Sequence, residues 1–165
     1  MTEPIDEAAI TRYITSALDG VDVTTALDAS FFFYDPGHGL PVDQRLPFAT
    51  LVTNDEHDQA SDLNRPGLFR LNVGVSAETF RSLFGELPPS KGGPYEPLTG
   101  YDFTVLDTLL PHPVYGRLHW LCVLNPSPET FEQVRPLLAE AHALAASRYA
   151  RSHPTGPDPA SDSAE

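Results

Sequence analysis

The chain predicts an α+β domain: a mainly antiparallel sheet of four to five strands with helices packed on one face. Three observations carry this reading. Short runs rich in aromatic and β-branched residues recur at 30–34, 48–53, 69–75 and 118–124, and such runs form strands. Apolar residues at helical spacing open the chain, follow the third run and return after the last one. The loops between the first three runs are too short to hold crossover helices, so those strands pair antiparallel and the helices must bury their apolar stripes against the sheet.

The first helix is expected over Ile5 to Leu18, where residues 5, 9, 10, 13, 14, 17 and 18 are apolar. Pro4 suits its first turn and Gly20 its end. Ser30 to Tyr34 is a short aromatic strand stopped by Asp35-Pro-Gly, and Phe48 to Thr53 is the second strand. Asn54 to Gly67 reads as a polar loop. In the third strand, Phe69, Leu71, Val73 and Val75 share one face while Arg70, Asn72 and Gly74 share the other. Ser76 is placed to cap a helix from Ala77 to Phe84, closed by Gly85. Glu86 to Gly100 is a Pro- and Gly-rich loop. Tyr101 to Leu110 fits either a strand or a helical turn, with a lean to strand. Leu118 to Leu124 is the last strand. Ser127-Pro-Glu opens the last helix, in which Pro136 predicts a break or kink.

One domain over residues 1–152 and a disordered acidic tail over 153–165 complete the expected organisation. The tail is Pro, Ser, Gly, Asp and Ala with too little apolar surface to offset ordering. A chain of 165 residues buries enough surface to fold without metal or disulfide. The 17 prolines lie mostly between the hydrophobic runs and predict ordered loops.

The formal net charge is −13, of which Asp158, Asp162 and Glu165 in the tail supply −3 and the remainder −10. An acidic surface opposes duplex binding, which needs Lys and Arg to replace counterions, and it opposes docking on an anionic membrane. It leaves room for one local anion pocket. Cys122 is the single cysteine, which excludes a disulfide framework and a multi-Cys metal site. The N-terminal MTEPIDEAAITRY carries acids where a signal peptide is basic, and no run approaches the roughly 18 apolar residues of a membrane span. The expected location is the cytoplasm, with no membrane partner, no cofactor and no metal.

Three segments carry a family resemblance: Pro47-Phe-Ala-Thr-Leu-Val-Thr53, Phe69-Arg-Leu-Asn-Val-Gly-Val-Ser-Ala-Glu-Thr-Phe80, and His119-Trp-Leu-Cys-Val-Leu-Asn-Pro-Ser127 followed by a helix. Together they resemble the family known as domain of unknown function 6194, over roughly residues 5 to 150. More distantly the layout is similar to MmcQ/YjbR-like proteins, some of which are likened to DNA-binding folds. That wider resemblance implies a small α+β domain with a curved antiparallel sheet. It brings no ligand residue or activity with it, and fold does not fix function.

Arg70 and Asn72 are the first candidate ligand-binding residues. They share the polar face of a central strand, and the Arg fork suits a carboxylate or phosphate. The competing reading pairs Arg70 with an acid on a solvated sheet face. Thr53 is placed near the same face. His119, before Trp120, is the candidate catalytic residue, because its pKa lies near working pH; the competing reading is a strand-end histidine bonded to a backbone carbonyl. Asp55, Glu56, His57 and Asp58 have metal-ligand types, but adjacent positions cannot converge on one ion, so they read as a solvated acidic loop. Ser61, Asp62 and Arg65 serve loop turns or a lid over the sheet. Ser90-Lys-Gly-Gly-Pro94 lacks the spacing of a phosphate loop and reads as a flexible loop. The aromatics Phe31, Phe32, Phe33, Phe48, Phe69 and Trp120 are core candidates, although Phe32 and Phe33 must face opposite ways.

These residues suggest a small-molecule or protein binding module using the polar sheet face. The alternative is a cofactor-independent enzyme with His119 as general base and Arg70 as anion clamp, which fails if the two lie on opposite faces. A nucleic-acid regulator comes third and is opposed by the charge.

Overall fold

Asp6 caps the first helix: its carboxylate accepts from the amide of Ala9 at 2.8 Å, and α1 runs from Glu7 to Ala17. The computed structural model describes residues 5–41, 45–56 and 58–152; the expected tail and His57 lie outside them. Six strands follow in sequence: β1 (Val21–Ala26), β2 (Ala29–Tyr34), β3 (Ala49–Val52), β4 (Arg70–Gly74), β5 (Leu110–Pro111) and β6 (Trp120–Leu124). Helix α2 (Ala77–Phe84) lies between β4 and β5, and α3 (Pro128–Ser152) closes the chain. The strands form one antiparallel sheet in the order β1-β2-β3-β4-β6-β5. The α+β expectation holds. The sheet has six strands where four to five were expected.

Both extra strands have a physical reason for escaping the pattern. β1 pairs with β2 through a two-residue turn, Leu27-Asp28, whose φ angles are 52° and 60°. Two positive φ angles are the signature of the tight hairpin turn that Asn-Gly normally marks. Here the turn is held instead from β3: Thr53 Oγ1 donates to the Asp28 carbonyl at 2.7 Å, and Asn54 Nδ2 reaches the Leu27 carbonyl at 3.4 Å. β5 is two residues long. Of the 101–110 segment that leaned to strand, only Leu110 is in one; the rest is bends, one short turn and irregular chain.

The apolar alternation falls as the spacing predicts. Phe32, Leu51, Leu71, Val73, Leu121 and Val123 face the helices and meet Ile10 and Ile14 of α1, Phe80 of α2, and Phe131, Val134 and Leu138 of α3. Ser76 caps α2, accepting from Thr79 N at 3.1 Å, and Gly85 follows it at φ 78°. Glu140 of α3 adds a second cap: its carboxylate accepts from Ser76 N and Thr79 Oγ1, each at 2.7 Å. A carboxylate at a helix N-terminus is favoured by the free amides and the dipole. Burial alone would raise the Glu140 pKa, yet those hydrogen bonds hold it below the usual value.

Pro136 does not break α3, which is continuous from Pro128 to Ser152. Pro136 sits on the exposed side of the helix, so the carbonyl it leaves without an amide faces solvent. Val134 and Leu138, buried on either side of it, hold both halves on the core.

The second face of the sheet is not solvated. Leu63, from the loop between β3 and β4, packs with Ala29, Val52 and Leu124 on that face. Arg65 ties this loop to the next one by donating to the carbonyls of Ser61 and Thr104 at 3.1 and 3.2 Å. The sheet is thus covered by helices on one side and by ordered loops on the other. Phe32 and Phe33 divide accordingly: Phe32 is in the helix-side core, and Phe33 lies under the Arg45 guanidinium, 4.3 Å from its ring centre.

Candidate functional site

Arg70 is the centre of the loop-covered face and is 1% exposed. Its guanidinium takes the Asp58 carboxylate bidentately, at 3.0 and 2.6 Å. It also donates to Ser61 Oγ at 3.0 Å and, through Nε, to Asn72 Oδ1 at 2.9 Å. Asn72 in turn donates to Thr50 Oγ1 across the β3–β4 pair at 2.9 Å. A buried charge is tolerated when it is paired and hydrogen-bonded, and four of the five Arg70 N–H groups have acceptors here. Burial would raise the Asp58 pKa; the Arg70 hydrogen bond and charge outweigh it and hold the carboxyl below its usual range.

His112, which the sequence did not single out, closes the cluster. It is 2% exposed, and its Nδ1 accepts from the amides of Val114 and Tyr115, both at 3.0 Å. An accepting Nδ1 carries no proton, so the neutral ring holds its proton on Nε2. Nε2 lies 3.5 Å from an Arg70 nitrogen, which places donor against donor. Burial, with Arg70 adding repulsion and Asp58 partly opposing it, pushes the His112 pKa down to about 3. Cys122 lies on the same sheet face, paired with Asn72 across β4–β6. Burial raises its thiol to about 12, the state of a structural thiol rather than a nucleophile.

The acidic run behaves as several unrelated parts. Asp55 accepts from Leu63 N at 2.9 Å and shapes the loop, while Asp58 turns inward to Arg70. Among the described residues, no group of three or more His, Cys, Asp or Glu could hold a metal ion.

His119 is elsewhere. It follows a 3-10 turn (Gly116–Leu118) and adopts φ 72°, ψ 32°, a left-handed conformation uncommon outside glycine. Its ring packs on Phe80 of α2, 5.7 Å between centroids, and so lies on the helix side of the sheet. Arg70 lies on the opposite side, so the pairing of His119 with an Arg70 clamp is not formed. Thr53 is on the helix side too, but it follows β3 at the Arg70 end, whereas the His119 carbonyl accepts from Val75 beyond the far end of β4. Some six residues of strand, roughly 20 Å, separate those ends. The four candidates therefore divide among three places.

His119 does line a cleft of about 370 Å³, together with Phe80, Arg81, Leu87, Ser90 and Arg117. This is the size of a small-ligand site. Its wall holds two guanidinium groups, Arg81 and Arg117, together with one acid, the exposed Glu86. Arg81 is half exposed and meets Glu86 only at 3.6 Å, a solvent-screened contact worth about 0–1 kcal/mol. Arg117 donates to the Pro88 carbonyl. Among the described residues its Nε is buried with no acceptor. An orphaned buried donor costs about 1–3 kcal/mol, and such a group calls for an explanation such as a water or ion. Arg81 and Arg117 were not read as site residues from sequence. The available signal was modest: Arg117 stands two residues before His119, and Arg81 lies in the last turn of the helix that Gly85 ends.

Two further clefts lie away from it. One of about 430 Å³ lies between Tyr34, Leu46, Arg148 and Tyr149. Thr53 lines a smaller one of about 220 Å³ beside α1.

A model of a family of unknown function matches residues 5–154. The chain belongs to that family, DUF6194. Membership covers both the Arg70 cluster and the His119 cleft, and it assigns a role to neither. No curated protein and no solved structure matches the chain. Among the described residues, no helix is long and apolar enough to cross a membrane.

Proposed function

We propose that this DUF6194 domain binds a small organic anion in the His119 cleft. The observation that carries the reading is Arg117, whose buried Nε has no acceptor among the described residues and which lines a cleft that also holds Arg81 and His119. The guanidinium groups suit a carboxylate or phosphate. Phe80 and Leu87 offer an apolar wall for the ligand's body. Arg70 and Asn72, which the sequence suggested for this task, have their groups engaged by Asp58, Ser61 and Thr50. They act instead as the strap that holds the loop layer on the sheet. A cytoplasmic setting suits this reading, since the lone thiol is buried and serves no disulfide.

The test is thermal unfolding against a panel of alkyl and aryl carboxylates and phosphate monoesters. A ligand at about 100 times its dissociation constant adds about 2.7 kcal/mol to the native state. That corresponds to roughly 5–10 °C for a domain of this size. The shift should disappear in Arg117→Ala and persist in Arg148→Ala, which alters the other cleft. A shift that survives the loss of both Arg81 and Arg117, or no shift with any anion, would overturn the proposal.

A further inference from the structure

The loop beside this cleft is folded around a carboxylate of its own. Glu96 Oε1 accepts from Ser90 Oγ at 2.9 Å, from Lys91 N at 2.8 Å and from Gly92 N. The backbone is shaped for that contact. A Cβ on Gly92 would stand 3.2 Å from Glu96 Oε1, and Gly93 holds φ 96°. Successive backbone amides converging on one oxygen form the kind of concavity that binds anions. Ser90 Oγ also lies 2.6 Å from the Gly93 carbonyl, and one hydroxyl proton cannot serve both acceptors fully.

The loop is also the wall between two cavities. Ser90 and Gly93 line the His119 cleft. Lys91 and Glu96 line a neighbouring cavity of about 280 Å³. Arg117 borders both. Hydrogen bonds from Gly92, Ser90 and Lys91, with the charge of Arg117, hold the Glu96 carboxyl below its usual pKa. At neutral pH the nest therefore contains a full negative charge supplied by the chain itself.

We propose that Ser90–Gly93 is the oxyanion seat of the anion site, that Glu96 is its built-in placeholder, and that the phosphate group of a phosphate-monoester ligand displaces it. The inference rests on the reading of the cleft as an anion site and adds the ligand class and the regulation of entry. A phosphate dianion offers three acceptor oxygens and more charge than one carboxylate, so it can take the Lys91 and Gly92 amides together with Arg117. Glu96 competes from a tether, at an effective concentration in the millimolar range or above. It thereby sets a threshold below which weakly held anions stay out.

The test is a titration with inorganic phosphate at constant ionic strength, following backbone amide resonances of wild type, Glu96→Ala and Glu96→Gln. If the nest is open about a tenth of the time in wild type, emptying it lowers the apparent dissociation constant about tenfold. In Glu96→Ala the Lys91 and Gly92 amides should move on addition of phosphate, and Arg117→Ala in the same background should abolish the response. Glu96→Gln keeps the accepting oxygen without the charge and guards against a collapsed loop; it should show a smaller gain at the same resonances. Equal phosphate affinity in all three proteins, or movement confined to other amides, overturns the placeholder. If an aryl carboxylate still moves the Arg81 and His119 amides while the loop stays silent, the placeholder fails and the cleft reading stands; silence at both sites overturns both.

Discussion

Acid should unfold this protein partly through His112, and the size of that effect follows from its surroundings. The folded state holds the ring neutral, with a pKa near 3, against about 6.5 in the unfolded chain. A depressed folded value means that unfolding takes up a proton. Stability from this group is therefore full above about pH 6.5 and is lost as pH falls toward 3. Between pH 7 and 4.5 the loss comes to about 2.5 kcal/mol, near 1.4 kcal/mol per pH unit over most of the interval. The control is His112→Asn, whose side-chain oxygen can still accept from the Val114 and Tyr115 amides but cannot titrate. Urea unfolding of both proteins at pH 7 and 4.5, read as the midpoint with the slope held as a check, isolates the term. The wild type should lose about 2.5 kcal/mol more than the variant across that range. Equal losses in the two proteins would refute the argument, and would mean that the ring finds water or a counter-charge on protonation.

Removing Asp58 alone should be severe. Asp58→Ala leaves Arg70 buried without its bidentate partner, and a loss of about 3–5 kcal/mol in denaturant unfolding is expected; a loss under 1 kcal/mol would show that Arg70 reaches water. Leu27 is exposed and held at φ 52°, so Leu27→Asn should raise stability by roughly 0.5–1 kcal/mol, because Asn tolerates this turn conformation better. Unchanged or lower stability would mean that the clasp from Thr53 and Asn54 already fixes the turn. Glu140→Gln should cost roughly 1 kcal/mol at pH 7 through the weakened α2 cap. Its carboxyl pKa is lowered in the fold, so the contribution is present above about pH 4.3 and lost below it, and the two proteins should converge in acid unfolding.

What could be read from sequence was what local pattern controls. The strands holding Phe32, Leu51, Leu71 and Val123 obey alternation, and Ser76 and Gly85 bracket α2 by capping chemistry that acts over three residues. β1 was missed because its turn is Leu-Asp rather than Asn-Gly, and the hydrogen bonds that hold that turn come from residues 25 to 27 positions away. The break expected at Pro136 is absent because its cost depends on which way the lost bond faces, and that is a tertiary fact. The alternation at Arg70 and Asn72 was right while the expected solvation was not. The loop that covers them is as polar as an exposed loop, and only Asp58, Ser61 and His112 arriving from 9 to 42 residues away make the face an interior. The cleft was half legible: His119 was visible as a residue type, whereas Arg81 and Arg117 meet it only through the fold.

The two polar constellations have opposite energetic standing, and this is why the proposed site is the His119 cleft rather than the Arg70 cluster. At Arg70, Asp58, Ser61 and Asn72 take the donors of a buried cation, and adding a ligand would first require breaking bonds that hold the loop layer to the sheet. At Arg117 a buried donor has no acceptor among the described residues, a histidine is held in a left-handed conformation, and a glycine-rich loop keeps its amides on the Glu96 carboxylate. Local rules are broken there without an internal return, and such places are where function is expected to be found. The Arg70 cluster fixes the loop layer on one face of the sheet, and the α2 end with the Ser90–Gly93 loop is left to combine an unpartnered guanidinium nitrogen, a left-handed histidine and a row of backbone amides beside one cleft.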